Sequence, residues 1–134
     1  PALRGLPNLR ALGALDQADV AEVYRCCDLL ILPSQSESFS LVVREALASG
    51  IRVLCGRQVL QTDPNLAPFI TVRPVNLTQV ATTAKDFADA LDAEPEKSAQ
   101  EARRYLGEHC SWAATFDAYA EILGRTVKTK QQSS

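Results

Sequence analysis

The run Asp28-Leu29-Leu30-Ile31-Leu32 is unbroken apolar sequence after its aspartate, and it stops at Pro33. Continuous runs of this length suit a parallel strand covered on both faces, so this segment is predicted to be a central strand. The residues downstream of Leu32 narrow the choice further. Pro33-Ser34-Gln35-Ser36-Glu37-Ser38-Phe39-Ser40 is a loop of mostly small residues. Leu41-Val42-Val43-Arg44-Glu45-Ala46-Leu47-Ala48 is an almost wholly apolar helix, and Gly50 is a natural terminator for it. Ile51-Arg52-Val53-Leu54-Cys55 then reads as the next strand. A strand, a short loop, a buried helix and a second strand make a parallel βαβ unit.

Similar signals extend in both directions. Asn8 to Gly13 reads as a short strand with Leu9 and Leu12 as its apolar residues. Asp16 or Asp19 caps a helix to about Cys26, with Val20, Val23, Tyr24 and Cys27 on one face. Phe69 to Val72 is a shorter strand after a loop containing Pro64 and Pro68. Thr78 to about Ala93 is helical, with Val80, Ala84, Phe87, Ala88 and Leu91 aligned. Pro95 or Glu96 opens another helix to about Glu108. Ser111 caps a last one, whose buried stripe is Trp112, Phe116, Tyr119 and Leu123. The expected fold class is α/β, with a parallel sheet and an α-helical C-terminal extension. Residues 1–125 form one domain and 126–134 a disordered polar tail.

Composition excludes several classes of function. The net charge is -2 and the Lys and Arg residues are scattered, so there is no basic footprint for nucleic acid. No apolar run reaches the length of a membrane span. Cys26, Cys27, Cys55 and Cys110 show no CxxC or metal spacing and read as reduced core or semi-buried thiols, which fits a cytoplasmic protein. His109 is the single histidine, reads as structural or surface, and leaves no basis for a Ser/His/Asp or Cys/His nucleophilic site. Asn76-Leu77-Thr78 matches a glycosylation sequon, a frequent chance match.

Ligands of parallel α/β sheets bind beyond the carboxyl ends of the strands, where the 33–40 loop lies. The start of the following helix attracts phosphate through its free N–H groups and its dipole. Glu37 stands before that start and Glu45 inside the helix. Carboxylates on either side of a diphosphate accept hydrogen bonds from sugar hydroxyls, so the arrangement matches sugar, diphosphate and ribose in order. Chance alone supplies roughly 0.5 such Glu pairs in this composition, so spacing by itself decides little. Context adds weight. In so apolar a helix, Glu45 must face a pocket, pair with a cation such as Arg44 or Arg52, or lie on an exposed strip. Glu37 reads either as a ligand contact or as a solvated loop residue. Ser36, Ser38 and Ser40 either allow close approach to the backbone or serve as turn and cap residues. A hydroxyl at Ser40 can both cap the helix and reach a phosphate.

The segment Glu37-Ser38-Phe39-Ser40-Leu41-Val42-Val43-Arg44-Glu45-Ala46 resembles the hallmark of the C-terminal, donor-binding domain of GT-B glycosyltransferases of family 4, the large retaining class. That hallmark is two glutamates separated by seven residues, written around E-G/S-F-G-x-x-x-x-E-A. The likeness extends from about Leu9 to Leu123. It takes in Leu12-Gly13, Val23-Tyr24 through Asp28 to Pro33-Ser34, Ala46-Leu47-Ala48-Ser49-Gly50, and Ser111-Trp112 with Tyr119. The resemblance implies a Rossmann-like sheet with helices on both faces. It implies Glu37 as the catalytic-site carboxylate on the donor sugar. Backbone around Ser38, Phe39, Ser40, Leu41 and Val42 would hold sugar and diphosphate. Glu45 would bind the ribose, and Leu15 would lie near the base. It implies a nucleotide-diphosphate sugar as substrate, no cofactor and no metal.

Departures from the family pattern are Ser40 at the second glycine, Ile51 at the usual proline, and Gly56-Arg57-Gln58-Val59-Leu60 in place of a Gly-Gly loop. Arg57 reads as a cation for that loop or as a surface residue. The chain opens in mid-pattern at Pro1, so it is expected to be a fragment without its N-terminal acceptor domain, inactive alone. Any association with a membrane surface would come through that missing half. Two other functions remain open: a degenerate, non-catalytic module acting as scaffold, and a nucleotide-sugar epimerase of the same two-domain fold, whose histidine and acid pattern is not seen.

Overall fold

The computed structural model describes residues 6–36, 40–111, 113, 114, 117, 120 and 121. Three strands form one parallel sheet: β1 (Leu29–Leu32), β2 (Arg52–Gly56) and β3 (Thr71–Arg73), in the order β1-β2-β3. Leu30 is aligned with Val53 and Ile31 with Leu54 across the first pair, and Leu54 with Thr71 across the second. The helices are α1 (Gln17–Arg25), α2 (Leu41–Ala48), α3 (Val59–Thr62), α4 (Val80–Ala88) and α5 (Ala99–His109), with a 3-10 segment at Pro64–Phe69.

β2 is the strand covered on both faces. Its side chains alternate, and each face has its own core. Val53 and Cys55 pack with Val43, Ala46 and Leu47 of α2 and with Ala102 and Leu106 of α5. Leu54 packs on the other side with Val75, Phe87 and Ala90. The α/β class with helices on both faces therefore holds. The strand predicted to be central, β1, is instead an edge: among the described residues it pairs with β2 alone, and Ile31 is 46% exposed. A strand takes cover from its neighbours, and nothing described lies beyond β1.

Three further expectations are corrected. Asn8 to Gly13 is irregular, and Leu9 and Leu12 are exposed, because no described strand offers this segment a ladder. Of the four cysteines only Cys55 is buried; Cys26, Cys27 and Cys110 are exposed. Helix α4 ends at Ala88, short of Ala93; on it Phe87 is the buried residue while Val80, Ala84 and Ala88 are exposed, and Leu91 beyond it is exposed as well. The closing stripe of Trp112, Phe116, Tyr119 and Leu123 lies outside the described residues, as does the tail at 126–134.

Local chemistry sets the helix ends. The Asp16 Oδ1 accepts from the Asp19 N–H at 2.9 Å and starts α1. The α2 terminus is a Schellman turn: the Ile51 N–H donates to the Ala46 carbonyl and the Gly50 N–H to that of Leu47. Gly50 has φ +82°, and a Cβ there would stand 2.7 Å from the Arg103 guanidinium. Helix α5 begins later than Pro95 or Glu96 because Ser98 and Glu101 form a reciprocal capping box. The Ser111 hydroxyl accepts from the Ala114 N–H, in keeping with its predicted role as a cap.

Gly50→Ala is expected to cost about 1–2 kcal/mol, the penalty of a Cβ in the left-handed region, read as a lower urea midpoint. The hydrogen bonds from Ser98 hold the Glu101 carboxyl below its usual value. A depressed folded value means stabilisation above the unfolded pKa that is lost as pH falls through the folded one. Acidification below about pH 4 is thus expected to fray α5, seen as helical circular dichroism lost in the native chain and less so in Glu101→Gln.

Candidate functional site

The described part of the 33–40 loop is tied to the carboxyl rim of the sheet. The Ser34 Oγ donates to the Ser36 carbonyl and accepts from the Ser36 N–H, at 3.0 and 3.3 Å. The Gln35 side-chain amide donates to the Val75 carbonyl at 2.9 Å. At Gly56, the end of β2, an added Cβ would stand 2.2 Å from the Ser34 carbonyl oxygen. A glycine there lets the loop after β1 lie directly against β2.

The expected site residues separate into three groups. Glu37, Ser38 and Phe39 lie outside the described residues. Ser40, Leu41, Val42 and Glu45 come together at the front of α2. Leu15 is in the irregular segment ahead of α1 and is not among the lining residues of either groove beside Glu45.

At the front of α2, Leu41 and Val42 are 59% and 42% exposed while Val43 is fully buried. The first turn of the helix is therefore open on one side. Ser40 holds the N-cap position but its side chain makes no cap bond, against the expectation that it caps the helix. The residue is 2% exposed, and its Oγ has no hydrogen-bond partner among the described residues. A buried hydroxyl without a partner is costly.

Glu45 pairs with neither arginine proposed for it. Arg44 pairs instead with Asp63, at 2.5 Å, with both side chains nearly buried at 13% and 12% exposure. Arg52 pairs with Glu94 at 3.2 Å and donates to the Leu91 carbonyl. Glu45 is half-buried and lines two grooves. One, about 240 Å³, lies between α1 and α2 and includes Gln17, Val20, Tyr24 and Ser49. The other, about 450 Å³, lies between α2 and α5 and includes Leu41, Arg103, Leu106 and Ser111. Tyr24 lines the α1–α2 groove together with Glu45, and its phenol is pushed above its usual value by burial first and by the nearby Glu45 carboxylate next.

The opposite face of the sheet carries an apolar groove of about 300 Å³, lined by Ile31, Pro33, Val75, Leu77, Val80 and Phe87 among others. It offers no carboxylate or cation and has no chemistry for a diphosphate.

Residues 2–63 match the family described as glycosyl transferases group 1. The chain is related to glycosyltransferases. A D-inositol 3-phosphate glycosyltransferase of Gordonia bronchialis is 32% identical over 118 residues, covering 84% of this chain and 24% of that protein. The enzyme of the same name from Corynebacterium kroppenstedtii is 45% identical over 51 residues, 38% of this chain and 11% of its own. D-inositol 3-phosphate glycosyltransferase 2 of Catenulispora acidiphila is 31% identical over 127 residues, 90% of this chain and 28% of its own. The chain thus spans about a quarter of the length of the curated relatives it matches over most of its own. No solved structure is significantly similar to it.

The matched region contains α1, β1, α2 and β2, so the two acidic positions, Ser40 and the carboxyl ends of β1 and β2 fall within it. Two contributors carry no signal in the sequence. Gln58, in the loop after β2, has a buried Oε1 with no partner among the described residues. Tyr24 belongs to a helical pattern, but the pattern does not reveal its partner. Each depends on contacts between distant segments, which spacing does not show. Among the described residues no group of three or more His, Cys, Asp or Glu could hold a metal ion. None of the described helices is long and apolar enough to cross a membrane. His109 is exposed at the end of α5, with its ring against Tyr105.

The Arg44–Asp63 pair fixes α2 against the segment after α3, and Asp63 also accepts from the Asn65 N–H. Asp63→Ala leaves a nearly buried guanidinium without that carboxylate and is expected to cost about 3 kcal/mol in urea unfolding. The double change Arg44→Met with Asp63→Leu is expected to recover much of that loss.

Proposed function

We propose that residues 1–125 are the donor-binding half of a retaining glycosyltransferase, which transfers a glycosyl group from a nucleoside-diphosphate sugar to an acceptor. The observation that carries this is the front of α2. An open first turn, a buried partnerless hydroxyl at Ser40, and a carboxylate at Glu45 bonded to neither Arg44 nor Arg52 stand together there. The relatives, all named as glycosyltransferases, support the reaction class.

In this reading the diphosphate lies at the α2 N-terminus. Free N–H groups and the helix dipole stabilise the charge that grows on it as the glycosyl bond breaks. The Ser40 Oγ donates to a phosphate oxygen. The Glu45 carboxylate accepts from the ribose hydroxyls, and Glu37 from hydroxyls of the transferred sugar. Leu15 lies by the base. The reaction needs no metal or cofactor, because the helix end and basic residues beyond this chain neutralise the leaving group. Transfer requires an acceptor domain to close over the donor and exclude water, so this chain binds donor weakly and does not transfer sugar alone. The working compartment is the cytoplasm.

Titration of the chain with UDP, GDP and ADP by calorimetry tests the reading. At least one is expected to bind, and Glu45→Gln is expected to weaken that binding about tenfold, as for loss of charge-assisted hydrogen bonds. The urea midpoint of Glu45→Gln should barely move. Absence of binding at millimolar nucleotide would overturn the proposal and favour a non-catalytic scaffold. Unchanged binding with a large loss of stability would make Glu45 a structural residue.

A further inference from the structure

Glu45 borders two grooves, and its carboxylate can serve only one ligand geometry at a time. The group that sets its direction is therefore part of the site. The flanking cations are engaged elsewhere: Arg44 with Asp63, and Arg103 through its Nε to the Ala48 carbonyl at 2.9 Å. On the α1 side stands Tyr24, half-buried, which packs against the core beneath α2 beside Leu30 and Leu32 and lines the same groove as Glu45.

We propose that Tyr24 is the positioning residue of this site, its hydroxyl donating to the Glu45 carboxylate and turning it into the groove between α1 and α2 to receive the ribose hydroxyls of a nucleoside diphosphate. This rests on the reading of Glu45 as the ribose-binding carboxylate.

The choice of a neutral donor has chemical content. An ionised carboxylate has about four lone-pair sites, and a bidentate arginine would occupy two of them and cancel the charge. A phenol occupies one and leaves the charge in place. The remaining sites can accept both hydroxyls of a ribose. The ring costs little to hold still, since it is half-buried and packed against the core cluster that includes Val43, Ala46 and Leu47. The raised phenol of Tyr24, whose second cause after burial is the Glu45 charge, is consistent with this contact.

The test compares Tyr24→Phe, Glu45→Gln and the double variant with the native chain, using UDP and inorganic pyrophosphate as probes in calorimetry. Tyr24→Phe is expected to raise the Kd for UDP about fivefold to tenfold, the range for a hydrogen bond to a charged group, and to leave pyrophosphate unchanged. In the Glu45→Gln background the same change should alter UDP affinity by less than about twofold, because the tyrosine acts through the glutamate. A pH titration of phenolate absorbance should show one tyrosine ionising at lower pH in Glu45→Gln than in the native chain. Equal losses for UDP and pyrophosphate, additive losses in the double variant, or a phenolate titration indifferent to Glu45 would each overturn the proposal while leaving the donor-site reading intact. A native chain that binds none of UDP, GDP and ADP overturns both readings; where GDP or ADP is the one bound, it takes the place of UDP as the probe.

Discussion

The site depends on the direction that Arg44 takes. Arg44 and Glu45 are neighbours on α2, and successive helical residues point about 100° apart. Arg44 is drawn to Asp63, into a nearly buried ion pair. Had the arginine closed on Glu45 instead, the carboxylate would be neutralised and its lone pairs filled. The Asp63 contact also locks α2 to the segment that leads into β3. One ion pair thus helps hold the crossover in place and leaves the neighbouring carboxylate clear of its adjacent cation.

The fold positions this helix by covering β2 from two sides. Val53 and Cys55 bury against α2 and α5, and Leu54 against Phe87 and Ala90. Because α2 follows β1 and precedes β2, its first turn comes to the carboxyl rim, where Gly56 allows the Ser34 carbonyl to lie close. Gln35 ties the same loop to Val75. Sequence order, a glycine and a side-chain amide together place the front of α2 beside the end of the sheet.

Much of this is legible in the sequence where the signal is local. The apolar run at 29–32, the helix stopped by Gly50 and the Asp16 cap all have short-range causes, and each element lies where its residues indicate. The readings that fail depend on what lies next door. Leu29–Leu32 has the composition of a central strand and forms an edge. Asn8–Gly13 has strand-like residues and no described partner. Cys26, Cys27 and Cys110 are exposed, although their thiols suggest burial. At the site, Glu37 and Glu45 are candidates from spacing and pattern, and Glu37 lies outside the described residues. The Arg44–Asp63 pair and the groove shared by Tyr24 and Glu45 carry no such signal, since each joins residues roughly twenty positions apart.

The margin of β1 has a practical consequence. Leu-Leu-Ile-Leu presents hydrogen-bonding groups on a side where no described strand meets them, with Ile31 projecting into an open apolar groove beside it. An uncovered apolar strand edge is a template onto which another extended segment can add. A lysine introduced on that rim is the kind of residue that discourages such addition.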